Sequence, residues 1–225
     1  TKVIILSRFI DIHTHNLAPH SADLTQILAV MVTSCATIPV ADYFSAAIHP
    51  YSLSGFDITW LDELAHVVRQ KNCIAIGETG LDWRSEYQTT QKQQHAIFDE
   101  HIFLANKLHL PLIIHSVKAT RPVLAHLAHK QTPFVFHGYT GSLASANEII
   151  DSGGMLSFGA KIIQDNQLQE RVREIDNSKI LLETDESNTA IQDIYAALAA
   201  IKSMTIEELK IQIEINFSNL FTQNL

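Results

Sequence analysis

The segment PLIIHSVKATRPVLAHLAHKQTPFVFHG, running from Pro111 to Gly138, decides the fold. It contains two short apolar runs, Leu112–Ile114 and Phe134–Phe136, each followed at once by a histidine, His115 and His137. Runs of this length and composition read as buried strands. Between them, Arg121–His129 carries its apolar residues at helical spacing. Strand, helix and strand in such close succession form a unit whose two strands lie parallel, because the helix carries the chain back to the starting edge.

The same alternation extends in both directions. Further strands are expected at Phe9–Ile12, Ile27–Val32, Ala46–Ile48, Ile74–Ile76, Met155–Phe158 and Ile180–Leu182, and helices at Ile58–Gln70, Gln88–Leu108, Leu143–Ser152 and Leu168–Ile175. The helix from Gln88 aligns Ile97, Phe98, His101, Ile102, Ala105 and Leu108 on one stripe, and Pro111 enforces a break before the next strand. Two closing helices follow, Ile191–Ile201 and Ile206–Leu220, the second started by Thr205-Ile-Glu-Glu208. Eight strands alternating with helices in 225 residues predict an α/β fold, a (β/α)8 TIM barrel forming one domain over 1–225. The early βα units are expected to be abbreviated, since only Ser21–Gln26 is available for a first helix and Thr33–Ala41 lacks a full one. No internal repeat, low-complexity tract or linker interrupts the pattern.

Hydrophobic residues make up 46% of the chain and charged residues 18%, ample for a large core. A net charge of -8 disfavours sequence-blind binding of a polyanion over a broad basic surface, although cations in a pocket reverse the local sign. Cys35 and Cys73 sit apart in apolar stretches and suggest a reduced, cytoplasmic setting. The opening run Val3–Leu6 is too short for a signal-peptide core, and no window is apolar enough for a membrane span. No obligate protein partner is evident.

The functional argument comes from where the polar residues fall. Catalytic groups of this fold project from the C-terminal ends of the strands. There lie His13 and His15 after the first predicted strand, His49 after the third, Glu78 after the fourth, His115 after the fifth, His137 after the sixth and Asp185 after the eighth. The H-x-H pair says little by itself in a chain with 12 histidines, so position carries the argument. Imidazole with carboxylate suits zinc or manganese better than calcium, and six ligands exceed what one open catalytic site uses. Two divalent ions sharing Glu78 are therefore expected, with zinc, manganese or magnesium as candidates. Such a pair turns bound water into a nucleophile at neutral pH, and Asp185 is the expected proton acceptor. The chemistry implied is hydrolysis, with Asp185 and Glu78 at its centre.

The residues that carry this argument also form ordered motifs: Phe9-Ile-Asp-Ile-His-Thr-His15, Ala47-Ile-His-Pro50, Ala75-Ile-Gly-Glu-Thr-Gly-Leu-Asp82, Pro111-Leu-Ile-Ile-His-Ser116, Phe136-His-Gly-Tyr-Thr-Gly-Ser142, Ser157-Phe-Gly159 and Leu181-Leu-Glu-Thr-Asp185. In them the chain resembles the TatD family of metal-dependent hydrolases, within the amidohydrolase-like barrels. The resemblance implies one metal on His13, His15, Glu78 and Asp185 and a second on Glu78, His115 and His137. It also implies phosphoester hydrolysis of the deoxyribonuclease kind, with a nucleic-acid or small-molecule phosphoester as substrate. The chain departs from the family after His115-Ser116, where Val117 and Lys118 replace the usual Arg and acidic residue. Lys118 or Arg84 would then substitute for that Arg, without its bidentate fork at this position. After Asp185, Glu186-Ser187 replaces a small residue and proline, and the loop toward an Arg-Asn-Glu-Pro-like segment is absent.

Around this set, Asp11 and Asp82 are expected to orient ligand imidazoles. His49 and Glu183 are expected to support the pocket, and Trp83 to line it as a stacking surface. Trp60 and the histidines His20, His66, His95, His101, His109, His126 and His129 are assigned to packing or surface. Glycines such as Gly80 and Gly138 serve turn geometry. Two other readings compete with the phosphodiesterase: an amidohydrolase-type enzyme acting on a lactone, ester or C–N bond, and a non-catalytic barrel relative.

Overall fold

The computed structural model describes residues 7–34 and 40–221. Eight parallel strands form one sheet whose spatial order is the order of the sequence: β1 (Phe9–Thr14), β2 (Leu24–Met31), β3 (Tyr43–Ala47), β4 (Cys73–Asp82), β5 (Leu112–Val117), β6 (Phe134–Phe136), β7 (Met155–Phe158) and β8 (Ile180–Leu182). The sheet nearly closes into a barrel, the chain just beyond its last strand meeting the first at an isolated parallel bridge between Thr14 and Asp185. Around it run α1 (Thr59–Val67), α2 (Gln91–Leu108), α3 (Thr120–Leu127), α4 (Leu143–Asp151), α5 (Asn166–Glu174), α6 (Ile191–Lys202) and α7 (Ile206–Phe221). This is the predicted (β/α)8 architecture.

Strands covered by helices on one face and by the barrel interior on the other have no solvated side, which is why their sequences run apolar rather than alternating. β4 is buried along its whole length, as are β6, β7 and β8. Helix α2 turns Ile97, Phe98, Ile102 and Ala105 inward, and burying a side chain such as Phe98 stabilises the fold by roughly 2–3 kcal/mol. At the start of α7, Glu208 N donates to Thr205 Oγ1 at 3.2 Å and Thr205 N donates to Glu208 Oε2 at 2.9 Å, the reciprocal cap expected from the sequence. Tyr195 of α6 ties the outer layer to β1, accepting from Ile10 N at 2.9 Å and donating to Ile10 O at 3.2 Å.

β6, β7 and β8 lie where the apolar runs put them; β1 and β5 begin where expected but run further, and β2, β3 and β4 differ at their starts as well. The segment Ser21–Gln26 is not a first helix: β2 begins at Leu24, and among the described residues nothing helical joins β1 to β2. Gln26 fits inside a strand because its amide donates to Asp11 Oδ2 at 3.2 Å and its carbonyl accepts from Ala18 N at 3.0 Å. β3 starts at Tyr43 rather than Ala46, running through the buried Ser45. β4 and β5 continue to Asp82 and Val117, so Glu78, Asp82 and His115 lie within strands rather than after them. Residues 85–90 form a 3-10 turn that delays the start of α2 to Gln91. Part of the connection Thr33–Ala41, Cys35 and the run Val3–Leu6 lie outside the described residues.

Candidate metal centre

At the C-terminal mouth of the barrel, Glu78 stands at the centre of the polar residues, and its two oxygens face different groups. Oε2 is 3.4 Å from His13 Nε2 and 3.8 Å from His15 Nε2. Oε1 is 2.5 Å from His115 Nδ1, 2.7 Å from His137 Nε2 and 3.0 Å from His49 Nε2. Asp185 Oδ1 completes the first side, 3.5 Å from His15 Nε2 and 3.7 Å from His13 Nε2. The β4–β5 register shifts between Gly77 and Thr79, so Glu78 is an extra residue in its strand. His13 and His15, two apart on β1 and just beyond it, share a face.

Several of these groups make sense only if something else joins them. His13 is fully buried and neither ring nitrogen has a hydrogen-bond partner, while His137 Nδ1 faces only the Glu183 carboxylate at 3.5 Å. A buried polar atom without a partner costs roughly 1–3 kcal/mol. Three donor sets each lie close enough to hold an ion: His13 with His15 and Glu78, His13 with His137 and Asp185, and His49 with Glu78 and His115. Nitrogen and carboxylate oxygen at these spacings are the donors a transition-metal ion uses.

The surrounding groups fix orientations. Asp82 accepts from His115 Nε2 at 3.1 Å and grips Arg84, with Arg84 Nε 2.9 Å from each carboxylate oxygen and Nη2 against Oδ2. Gln94 of α2 holds Asp82 by its backbone, accepting from its N–H at 2.8 Å and donating to its carbonyl at 3.0 Å. Glu183 has the partners a buried carboxylate needs: Gly138 N donates to it at 2.6 Å, Ser157 Oγ donates to it as well, and it lies 3.5 Å from His137 Nδ1. His49 accepts from Tyr51 N through Nδ1 at 3.1 Å, so in the neutral ring Nε2 carries the hydrogen and points it at Glu78.

Burial pushes the Glu78 carboxyl up, but the His137 charge and hydrogen bonds from His115 and His137 outweigh it and hold it well below the usual carboxylate range. Asp185 moves the other way, raised by burial and by the Glu183 charge. Burial also lowers the His49 ring to about 4, keeping it neutral.

Two expectations need correction. Asp11 meets no imidazole: its carboxylate accepts from Thr184 N at 3.0 Å, Thr184 Oγ1 at 2.7 Å and Gln26 Nε2 at 3.2 Å, and reaches His13 only through a backbone N–H at 3.4 Å. It serves the junction of β1, β2 and β8. Trp83 is not among the residues lining the cavity; its ring lies 6.1 Å from His95, and its indole nitrogen is buried and unpaired. Aromatic surface comes instead from Tyr51 and Tyr139, which line a cavity of about 640 Å³ together with Arg84, Lys118, Lys161 and Glu186. Their signal in the sequence was position alone, in the loops after strand ends. The histidines assigned to packing do pack: His95 Nδ1 lies 2.7 Å from His126 Nε2, and His101 bridges Thr79 and Ile48.

A nearly closed parallel barrel whose C-terminal mouth gathers imidazoles around a shared carboxylate is the architecture of a metal-dependent hydrolase. The chain belongs to the TatD family: residues 13–222 match the family described as TatD related DNase. It is 28% identical over 196 residues to the uncharacterized metal-dependent hydrolase YcfH of Escherichia coli strain K12, covering 79% of this chain and 73% of that protein. It is 28% identical over 172 residues to the 3'-5' ssDNA/RNA exonuclease TatD of Citrobacter koseri, covering 74% of this chain and 63% of that one. In fold it is similar to the TatD homolog YJJV of Escherichia coli K12, with a TM-score of 0.80 at 23% identity, covering 96% of this chain and 99% of that one. Among the described residues, no helix is long and apolar enough to cross a membrane.

Proposed function

We propose that this hydrolase cleaves phosphodiester bonds of nucleic acid with two divalent cations, one on His13, His15, Glu78 and Asp185, the other on Glu78, His115 and His137. The observation that supports it most is the divided carboxylate of Glu78, with Oε2 toward His13 and His15 and Oε1 toward His115 and His137. The predominance of imidazole favours zinc or manganese over magnesium. The substrate class draws support from the family's description as DNases and from the relative named as an exonuclease. The unpaired, buried thiol of Cys73, pushed up to about 12 by burial, suits a cytoplasmic setting.

When bound by these residues, such cations would bring a water's pKa toward about 7 and polarise the substrate oxygen. Asp185, 40% exposed at the cavity and with its carboxyl raised, takes the proton of the attacking water and returns it to the leaving oxygen. Asp82 fixes the His115 ring so that Nδ1 faces Glu78, and Glu183 sits behind His137 so that Nε2 does the same. The neutral His49 ring steadies Glu78 with one hydrogen bond.

The test is metal content by elemental analysis, paired with turnover of bis(p-nitrophenyl) phosphate, single-stranded DNA and a lactone panel by zinc- or manganese-loaded protein. Two ions per chain with phosphodiester turnover are expected. Lactone turnover with inertness toward both phosphodiesters would overturn the reading in favour of amidohydrolase-type chemistry. Far less than one ion per chain, not restored by added metal, would support a non-catalytic relative.

A further inference from the structure

Four non-glycine residues among those described adopt the left-handed backbone that L side chains rarely take: His109, Lys118, Asp185 and Ser203. Two of them have an ordinary reason, since His109 ends α2 and Ser203 ends α6, the place where helices commonly finish in this conformation. The other two, Lys118 and Asp185, line the same cavity. A backbone conformation of this kind kept at a pocket points to a side chain aimed for use.

Charge points the same way. The cavity wall carries three cations, on the loops after β4 (Arg84), β5 (Lys118) and β7 (Lys161). Arg84 is already matched by Asp82. Lys118 and Lys161 are exposed and enter no ion pair among the described residues, although Glu186 lines the same cavity from the β8 side. In a chain of net charge -8, two uncompensated cations beside one site stand out from the average field. A single phosphodiester carries one negative charge, which a cation pair at the metal centre already satisfies. The two lysines are surplus for such a substrate and suited to one with more phosphates. β5 and β7 flank β6, so their ends stand about 10 Å apart with His137 between them.

We propose that Lys118 and Lys161 grip the backbone phosphates on either side of the scissile one, which makes the substrate an oligonucleotide strand rather than a simple diester. This rests on the phosphodiesterase reading above. It also answers what replaces the guanidinium absent after Ser116: two separate point charges, one on each flank, in place of one fork.

Steady-state kinetics of the metal-loaded protein and its Lys118→Ala, Lys161→Ala, Lys118→Gly and Lys118→Arg variants, on a single-stranded oligonucleotide and on bis(p-nitrophenyl) phosphate, decide the matter. The oligonucleotide KM should rise roughly three- to tenfold in each alanine variant, at least threefold more than any change on the small diester, with kcat little altered. The slope of log KM against log salt should fall by about 0.7 per lysine removed. Lys118→Arg should recover most of the affinity. Lys118→Gly should show the same rise in KM without a lower melting temperature, since glycine accepts this backbone freely; a merely structural lysine would not behave so. An unchanged oligonucleotide KM and salt slope, or equal losses on both substrates, overturns the assignment. Turnover of the small diester without the oligonucleotide overturns it while leaving the phosphodiesterase reading intact, and inertness toward both overturns the two together.

Discussion

His101 gives the fold a measurable sensitivity to acid. Its ring is fully buried on α2 and used at both nitrogens: Ile48 N donates to Nε2 at 3.1 Å, which leaves Nδ1–H to donate to Thr79 Oγ1 at 2.7 Å. Only the neutral ring satisfies both contacts, and burial lowers its pKa to about 3. The unfolded chain takes up a proton near 6.5, while the native state refuses it until about 3. Stability from this residue is therefore fully present above about 6.5 and lost progressively as the pH falls toward 3. Between pH 7 and pH 5 the loss is about 2 kcal/mol, from a native ring that stays neutral and an unfolded one that titrates normally. Urea unfolding of chelator-treated protein at the two pH values, in wild type and in His101→Gln, isolates it. The wild type should lose about 2 kcal/mol more than the variant over that interval. A variant losing as much as the wild type would refute the reasoning. So would a 15N spectrum in which the His101 ring of the wild type is protonated at pH 5.

Asp11 acts with the opposite sign. Burial raises its carboxyl to about 6, so the native state holds a proton where the unfolded chain has lost its own, and stability falls as the pH rises from about 4 to 6. Asp11→Asn should flatten that fall, worth about 3 kcal/mol, in urea unfolding of the chelated protein across pH 4–6. Gly80 has φ +141 and its missing Cβ would press on the His115 carbonyl, so Gly80→Ala should spread β4 from β5. It should lower unfolding free energy by about 3 kcal/mol or more and weaken metal uptake at His115. Asp82→Ala frees both the His115 ring and Arg84, and metal affinity measured by competitive chelation should fall about 10- to 100-fold.

Apolar runs located β6, β7 and β8 to the residue, because those strands are short and carry no charged residue, Ser157 being their one polar side chain. The same criterion cut β4 off at Ile76 and β5 at Ile114, where the strands turn polar to carry Glu78, Asp82 and His115. A function that enters the sheet itself is invisible to a rule that ends strands at the first charge. The start of β2 was hidden for a related reason. Gln26 is acceptable in a strand through Asp11, 15 positions away, and the Ala18 backbone, 8 positions away, and no local pattern announces such pairings. The six expected ligands could be read because each follows the same landmark in the sequence, the end of a short apolar run, even where the strand itself continues past it as at His13, Glu78 and His115. The orienting contacts could not, since the Asp82 grip on Arg84 and the Glu183 contact with Ser157 depend on which neighbouring strands stand in register. Trp83 shows the cost of arguing from residue type: the indole turns toward His95, while the smaller Tyr51 faces the cavity.

The barrel seam and the candidate metal centre are built from the same bonds. β8 ends at Leu182, and beyond it the first and last strands are joined by Asp185 N donating to His13 O at 2.9 Å and His15 N donating to Asp185 O at 3.1 Å. Beneath them Thr184 donates from N and Oγ1 to Asp11. The positive φ of Asp185 lets one residue both bridge to Thr14 and present its carboxylate to the two imidazoles. His13, His15 and Asp185 thus owe their mutual geometry to the closure of the barrel, and a cation held among them would tie its two ends together. The other side differs, because His115 and His137 stand on β5 and at the end of β6, which pair along their length without help from the site. Glu78, on β4, reaches both with its two carboxylate oxygens. Ligand geometry on the seam side is therefore coupled to global stability, whereas on the β5–β6 side it depends on local orientation by Asp82 and Glu183. The two halves of one site answer to different forces within the fold.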